Sequence, residues 1–496
     1  MADLTPELEK ARKEIIKIAA GYGLDFYDTI FEVVTYDQMN QIAAHGGFPT
    51  RYPHWRFGME YEQLSKGYEY GLSKIYEMVI NTDPCYAYLM EGNAFVDQKL
   101  VMAHVYGHCD FFKNNKWFSK TNTKMMDVMA NNATKVRRFI DRFGIENVEN
   151  FIDVCLSLEN LIDRYSPYMP TSAASSGAGE GDGSDVYKLR VDKDYMDEYI
   201  NPPEFVESQR KRDFETQQQM SRYPAKPARD VLQFLVYNAP IKAWQQEILS
   251  LIREEAYYMA PQGMTKIMNE GWASYWHTTM MTQDILVDSE VIDYADHHSG
   301  TVAMSPTGFN PYKIGLELFR DIEERWNKGQ FGKEWRDCEN LKERTNWDKK
   351  LGLGRKKIFE VRRDYNDVTF IDEFLSEEFC VKNKMFVYKF NQRTGLYEID
   401  TRNFPAVKKQ LLFHLTNFGQ PIIQVEDANY SNRGELLLHH LHEGVDMQPD
   451  YMIETLKNVH IVWGRPVHML TVMDDEKRLY TFDGREVSDS PVSELP

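Results

Sequence analysis

The sequence predicts an α+β protein: a large, mainly helical body followed by a small C-terminal α+β domain. Three observations carry this. Apolar residues recur at helical spacing through most of the first ~165 positions and again from about 230 to 330. Between these stretches lies MPTSAASSGAGEGDGSDVYK (169–188), whose small and acidic residues bury too little surface to offset the entropy of ordering. The last ~115 residues change to short β-type runs separated by turn residues.

In chain order, Leu8, Ala11, Ile15, Ile18 and Ala19 fall on one helical face, and Tyr61 to Val79 continues such patterning. The intervening GGFPTRYPHWRFG (46–58) is dense in Gly, Pro and aromatic residues and reads as a packed loop. From 230 onward helical spacing returns, interrupted by Pro240 and closed by Pro261. A turn-rich stretch, HHSGTVAMSPTGFNPYKIG, precedes a further helix from Leu316 to Trp326. In the tail, Phe386–Phe390, Leu396–Asp400, Ile422–Val425, Val459–Trp463, Val467–Val472 and Leu479–Phe482 read as strands. Phe404–His414, Glu435–His442 and Pro449–Asn458 read as helices. The expected organisation is thus 1–168 helical, 169–188 a flexible linker or insertion, 189–380 a second helical part packing with the first, and 381–496 the α+β domain.

Composition narrows the function. The 496 residues carry 58 Lys+Arg against 76 Asp+Glu, a net charge of −18. Uniform acidity argues against nucleic-acid binding, which depends on cationic side chains displacing counterions from phosphates. Basic clusters at Arg355–Lys357 and Arg362–Arg363 sit among acids and read as solvated faces. No apolar run approaches the ~20 residues of a transmembrane helix, and the N-terminal stretch lacks a signal-peptide core. The five cysteines are scattered without a CxxC pair, which argues against a disulfide scaffold or a thiolate zinc site. A soluble, cytoplasmic protein is expected.

The strongest chemical pattern is KLVMAHVYGHCDFFKNN (99–115). His104 and His108, four apart, project from one helical face and are able to share a metal ion. Gly107 beside His108 suggests close approach by another group. In a metalloprotease HExxH helix a Glu follows the first His to activate water, and here that position is Val105. Asp110 is a substitute base, or equally a carboxylate that orients an imidazole. The second pattern is TKIMNEGWASYWHTTMM (265–281), where Glu270, Ser274 and His277 form one stripe of a helix wrapped in aromatic residues. A buried Glu270 needs a partner, either a metal shared with the two histidines or an arginine such as Arg253. His277 is a fourth ligand or a proton donor. Glu255 and Tyr258, upstream, are candidates for base and oxyanion stabiliser, and Glu91 is a weaker one. Asp296, His297 and His298 read as a polar turn, and His439, His440, His442 and Glu443 as structural or interface groups. No P-loop, dinucleotide fingerprint, nucleophile elbow or kinase signature occurs.

HVYGHCDFFKNN (104–115), SLENLID (157–163), NEGWASYWH (269–277) and NPYKIG (310–315) resemble the SpoVR family, the stage V sporulation protein R-like proteins. HLHEGVDM (441–448) and WGRPVHMLT (463–471) match the C-terminal portion of that family. The resemblance covers nearly the whole chain apart from 169–188. It implies a bacterial cytoplasmic protein, linked in spore formers to the peptidoglycan cortex and elsewhere to a stress-response serine protein kinase and its partner protein. Glu270-Gly271-Trp272-Ala273 is also similar to a motif of glutamate-zincin peptidases, in which the Glu is the third zinc ligand after two histidines on an earlier helix. That similarity implies a zincin-like body, with a divalent metal, zinc, on His104, His108 and Glu270. The resulting expectation is a metal-dependent peptide or amide hydrolase, or alternatively a non-catalytic regulator acting through protein partners.

Overall fold

The computed structural model describes residues 3–69, 77–169, 223–303 and 309–492. Apart from Met169, the expected linker at 169–188 lies outside the described residues. The elements in chain order begin with α1 (Pro6–Gly21), β1 (Thr29–Val34), α2 (Tyr36–Ala44), α3 (Trp55–Glu69), β2 (Glu77–Ile80) and β3 (Cys85–Met90). Then come α4 (Phe95–Asn114), α5 (Met125–Phe143), α6 (Ile145–Ser157), α7 (Val231–Asn238), α8 (Ala243–Met264) and α9 (Lys266–Met280). They are followed by α10 (Val291–Thr301), α11 (Pro311–Lys328), α12 (Gly354–Asp364), α13 (Asp367–Phe374), β4 (Val387–Asn391), β5 (Leu396–Thr401) and α14 (Phe404–Leu415). The chain closes with β6 (Ile422–Tyr430), β7 (Glu435–Leu441), α15 (Pro449–Trp463), β8 (Val467–Met473), β9 (Glu476–Phe482) and β10 (Val487–Pro491). The protein is α+β, and its described residues form two compact units: Met1–Glu149 with Tyr257–Gln420, and Asn150–Ala256 with Pro421–Pro496.

The first unit is built around α4 and α9. Every residue of α4 from Gln98 to Phe112 is buried, as is every residue of α9 from Ile267 to His277. Two such helices pack face to face only if backbone meets backbone, and small residues permit it. A Cβ on Gly107 of α4 would stand 2.7 Å from Ala273 Cα of α9. On the other side, a Cβ on Gly271 would meet Gly315 Cα of α11 at 2.4 Å. The N-terminus of α9 is satisfied by the buried Asp367, which accepts from the Ile267 and Met268 N–H groups at 2.8 and 2.9 Å. Burial pushes the Asp367 carboxyl up to about 7, while these two donors oppose that rise.

Helix α1 presents Leu8, Ala11, Ile15 and Ala19 to the core, with Thr5 capping its first turn and Ile18 half-buried. The loop at 46–54 is packed as expected through Phe48 and Tyr52, but helix α3 already starts at Trp55. A three-stranded sheet in the order β1-β3-β2 was not foreseen; β1 runs parallel to β3 and β2 antiparallel. Among the described residues, the helical reading of Tyr61 to Val79 holds through Glu69, whereas Glu77–Ile80 forms β2. Strand β3 (CYAYLM) is mostly buried, so the two-residue alternation that marks a half-buried strand is missing.

Three further corrections concern helices. Pro261 lies inside α8, which runs on to Met264 because Tyr258, Ala260 and Met264 are all buried. That burial outweighs the hydrogen bond the ring forfeits. The polar turn at Asp296–Ser299 is part of helix α10. Helix α11 starts at Pro311 rather than Leu316, with Pro in the first turn and Asn310 Oδ1 accepting from Lys313 N–H.

The second unit contains a five-stranded sheet ordered β10-β9-β8-β7-β6. Glu435–Leu441, expected as helix, is the inner strand β7, paired antiparallel to β6 and parallel to β8. Its Leu436, Leu437 and Leu438 are buried in succession, which removes the alternation. Val459–Trp463, expected as strand, ends α15, and Gly464 stops that helix at φ 73°.

Substituting Gly271→Ala is expected to destabilise the protein by about 2–3 kcal/mol, because the new methyl meets backbone that has no room to move. Gly300→Ala, in α10 with open space around it, is expected to be neutral or to stabilise by up to ~1 kcal/mol. Urea denaturation of both variants checks this contrast, and equal midpoints would refute the close approach of α9 and α11.

Candidate metal centre

His104 and His108 lie one turn apart on α4, and α9 brings Glu270 opposite them. The ligand atoms of all three lie within 4.8 Å of one another, and all three residues are buried. Glu270 Oε2 stands 3.5 Å from His104 Nε2 and 3.5 Å from His108 Nε2, yet forms no hydrogen bond. Those separations exceed ordinary hydrogen bonds. They are close to the edge of a tetrahedron with metal–ligand bonds of about 2.1 Å, which is roughly 3.4 Å. The other oxygen, Oε1, accepts from Lys266 Nζ at 3.1 Å, one turn back on α9. Burial would raise the Glu270 carboxyl, but the His104 and His108 imidazoles beside it hold it well below its usual range.

Both imidazoles are held from behind. His108 Nδ1 lies 2.8 Å from Asn269 Oδ1, so it donates to that carbonyl and leaves Nε2 bare toward Glu270. His104 Nδ1 lies 2.8 Å from His277 Nδ1, and the His104 ring stacks on Tyr312 with centroids 6.2 Å apart. His277 Nε2 in turn lies 3.4 Å from His298 Nδ1 on α10. Burial, and then the neighbouring imidazoles of His104 and His298, hold the His277 pKa well below its ordinary value.

Asp110 is fully buried, and its carboxylate accepts from Trp272 Nε1 at 2.7 Å, Asp25 N–H at 2.8 Å and Arg362 Nη1 at 3.1 Å. Burial pushes it up to about 6 against the pull of Arg362. It ties α4 to α9 and α12, and Arg362, read as part of a solvated face, is instead buried as its counter-ion. Tyr258 donates to the Asn81 carbonyl at 2.9 Å. Glu255 is buried on α8. Arg253 pairs with Asp230 at 2.7 Å rather than with Glu270. Glu91 follows β3 in a turn, and α4 begins only at Phe95. Ser274, on the Glu270–His277 stripe, is fully buried with its hydroxyl unpartnered.

His297 pairs with Asp97 at 2.7 Å. In the second unit His440 lies 2.9 Å from Thr471 Oγ1, His442 lies 2.8 Å from Asp446, and His439 lies 3.6 Å from Glu426. Asn269 and Lys266 were overlooked in the sequence. The signals were present: Lys266 is four residues before Glu270, and Asn269 adjoins it on a helix expected to be buried.

The family profile described as SpoVR like protein matches residues 3–420, and that described as SpoVR-like C-terminal domain matches residues 421–474. The boundary between the two coincides with the division of the structure at Gln420 and Pro421. Among curated proteins the chain is 29% identical over 483 residues to an uncharacterized protein, YcgB, of Escherichia coli (strain K12), covering 91% of this chain and 89% of that one. No solved structure matches.

Replacing Asp110 with Ala strands Arg362 as a buried, uncompensated cation and is expected to cost about 3–5 kcal/mol of stability. Equilibrium urea unfolding measures it, and a loss below ~1 kcal/mol would show that Asp110 is not the tie between these helices.

Proposed function

The chain belongs to the SpoVR family, and from that premise we propose that it holds a divalent metal on His104, His108 and Glu270 and uses it in hydrolysis of a peptide or amide bond. One observation carries the reading: a buried carboxylate oxygen, Glu270 Oε2, faces two imidazole nitrogens at 3.5 Å without a hydrogen bond. Buried polar atoms rarely lack partners, and two imidazoles with a carboxylate form a donor set suited to zinc. Among the described residues no thiol joins the cluster. When bound, the metal would supply a Lewis acid that polarises a carbonyl and lowers the pKa of water.

The chain's own residues support this chemistry in distinct ways. Asn269 orients His108. Lys266 engages Oε1 of Glu270 and leaves Oε2 for the cluster. Of the groups proposed from sequence as catalytic, Asp110, Glu255, Tyr258 and His277, His277 lies within hydrogen-bonding reach of His104, at 2.8 Å. The order His104, His108, Glu270 supports a zincin-like arrangement, and Val105 in place of the usual glutamate departs from it.

That departure favours a second reading. Val105 is a fully buried apolar residue, and both Asp110 oxygens are committed to Trp272, Asp25 and Arg362. A centre with Val105 in place of the usual glutamate and with Asp110 committed elsewhere suits a non-catalytic regulator that keeps a metal or polar core and works through protein partners, a stress-response serine protein kinase system among them. On either reading the family name connects the protein with sporulation, and the cytoplasm is the proposed compartment.

Protein purified without an affinity tag is expected to carry about one equivalent of a divalent metal by elemental analysis. His104→Ala and Glu270→Gln are expected to retain less than a tenth of it. A metal-free wild type would refute the hydrolase, while a Glu270→Gln protein with full metal content would remove Glu270 as a ligand. Cleavage of amide substrates by the metal-loaded protein, abolished in Glu270→Gln, separates the hydrolase from the regulator.

A further inference from the structure

The imidazole of His277 is positioned to bind the metal or to serve the residues that do, and the distances discriminate. Two nitrogens on one tetrahedral metal ion stand roughly 3.4 Å apart. His277 Nδ1 lies 2.8 Å from His104 Nδ1, which is a hydrogen-bond length. That nitrogen of His104 is also the one turned away from Glu270, since His104 faces Glu270 through Nε2. His277 therefore stands behind His104, on the side remote from the cluster.

We propose that His277 is a positioning residue that accepts the Nδ1–H of His104, and that His298 continues the arrangement as a chain of three imidazoles from the buried ligand to the half-exposed face of α10. The inference rests on the metal reading above and extends it. Once a cation occupies Nε2 of His104, that ring carries its proton on Nδ1. His277 Nδ1 must then be bare, so the His277 proton resides on Nε2. Nε2 points to His298 Nδ1 at 3.4 Å, a longer contact that fixes the same sense of donation. A single assignment thus propagates from the ligand outward. His277 is 3% exposed. His298 is half-buried, stacked on Tyr294 with centroids 5.6 Å apart.

The two ligand histidines are consequently locked by different chemistry. His108 is held by an amide carbonyl and His104 by a second imidazole. This asymmetry provides the test. Asn places its Oδ1 near the position of a histidine Nδ1, so His277→Asn keeps an acceptor for His104, whereas His277→Leu removes it. Zn2+ affinity is measured by competition with a chromophoric chelator on the full chain. His277→Leu is expected to bind Zn2+ about 10–100-fold more weakly than wild type, and His277→Asn within about 3-fold of it. Equal affinity in His277→Leu and wild type would overturn the proposal, as would His277→Asn binding as weakly as His277→Leu.

Should His277→Leu fail to fold, imidazole 15N NMR of histidine-labelled, Zn2+-loaded wild type reads the same question. The expected pattern is a protonated Nδ1 on His104 and a protonated Nε2 on His277. A zinc-ligated or Nδ1-protonated His277 refutes the proposal. Failure of wild type to bind Zn2+ or any divalent metal would instead sink the metal reading on which it rests.

Discussion

The backbone contact between α4 and α9 is the constraint from which the rest of the site follows. Gly107 allows α9 to lie against α4 at Ala273, and Gly271 allows α11 to lie against the opposite face of α9 at Gly315. With side chains removed from the contact, the two helices approach closely enough for residues one turn either side to meet across the interface. His104 and His108 flank Gly107, and Glu270 and Ser274 flank the Gly271–Ala273 segment. Any bulk at Gly107 would separate the helices and open the 3.5 Å spacings between Glu270 and the two imidazoles. The glycines therefore set the geometry of the site without touching its chemistry.

Charge inside this interface is handled in two separate places. Asp110 and Arg362 form a closed arrangement, with the carboxylate saturated by Trp272, the Asp25 backbone and the guanidinium. Such a pair contributes little net stability against an apolar alternative, but breaking it is expensive. Glu270 is the opposite case: one oxygen is engaged by Lys266 and the other is left facing two imidazoles. A saturated buried carboxylate fixes helices, and an unsaturated one invites a cation. Their burial is similar, and their hydrogen-bond inventories distinguish their roles.

The sequence made the two helices that carry His104, His108 and Glu270 legible because their residues recur at helical spacing, which predicts shared faces. It concealed the elements buried on every side. Strand β3 and strand β7 carry continuous apolar runs, so neither shows the two-residue alternation of a half-buried strand. His297 and His298 were misread because Gly300 and the Pro and Gly residues beyond it suggested a turn, whereas α10 continues through Gly300 to Thr301. Asn269 meets His108 and His298 meets His277 only through tertiary approach, and no spacing rule within one segment shows which imidazole nitrogen meets which neighbour.

Val105 gains its meaning from this geometry. It belongs to the apolar core of the first unit, so α4 brings ligands and hydrophobic packing to the site but no proton acceptor beside the first histidine. The polar apparatus lies on the facing helices: Asn269 and His277 on α9 and His298 on α10. In a glutamate-zincin the ligand helix also carries the base. Here the two histidines stand on α4 while the groups that meet their Nδ1 atoms stand on α9, and the two helices lie close because small residues let their backbones approach.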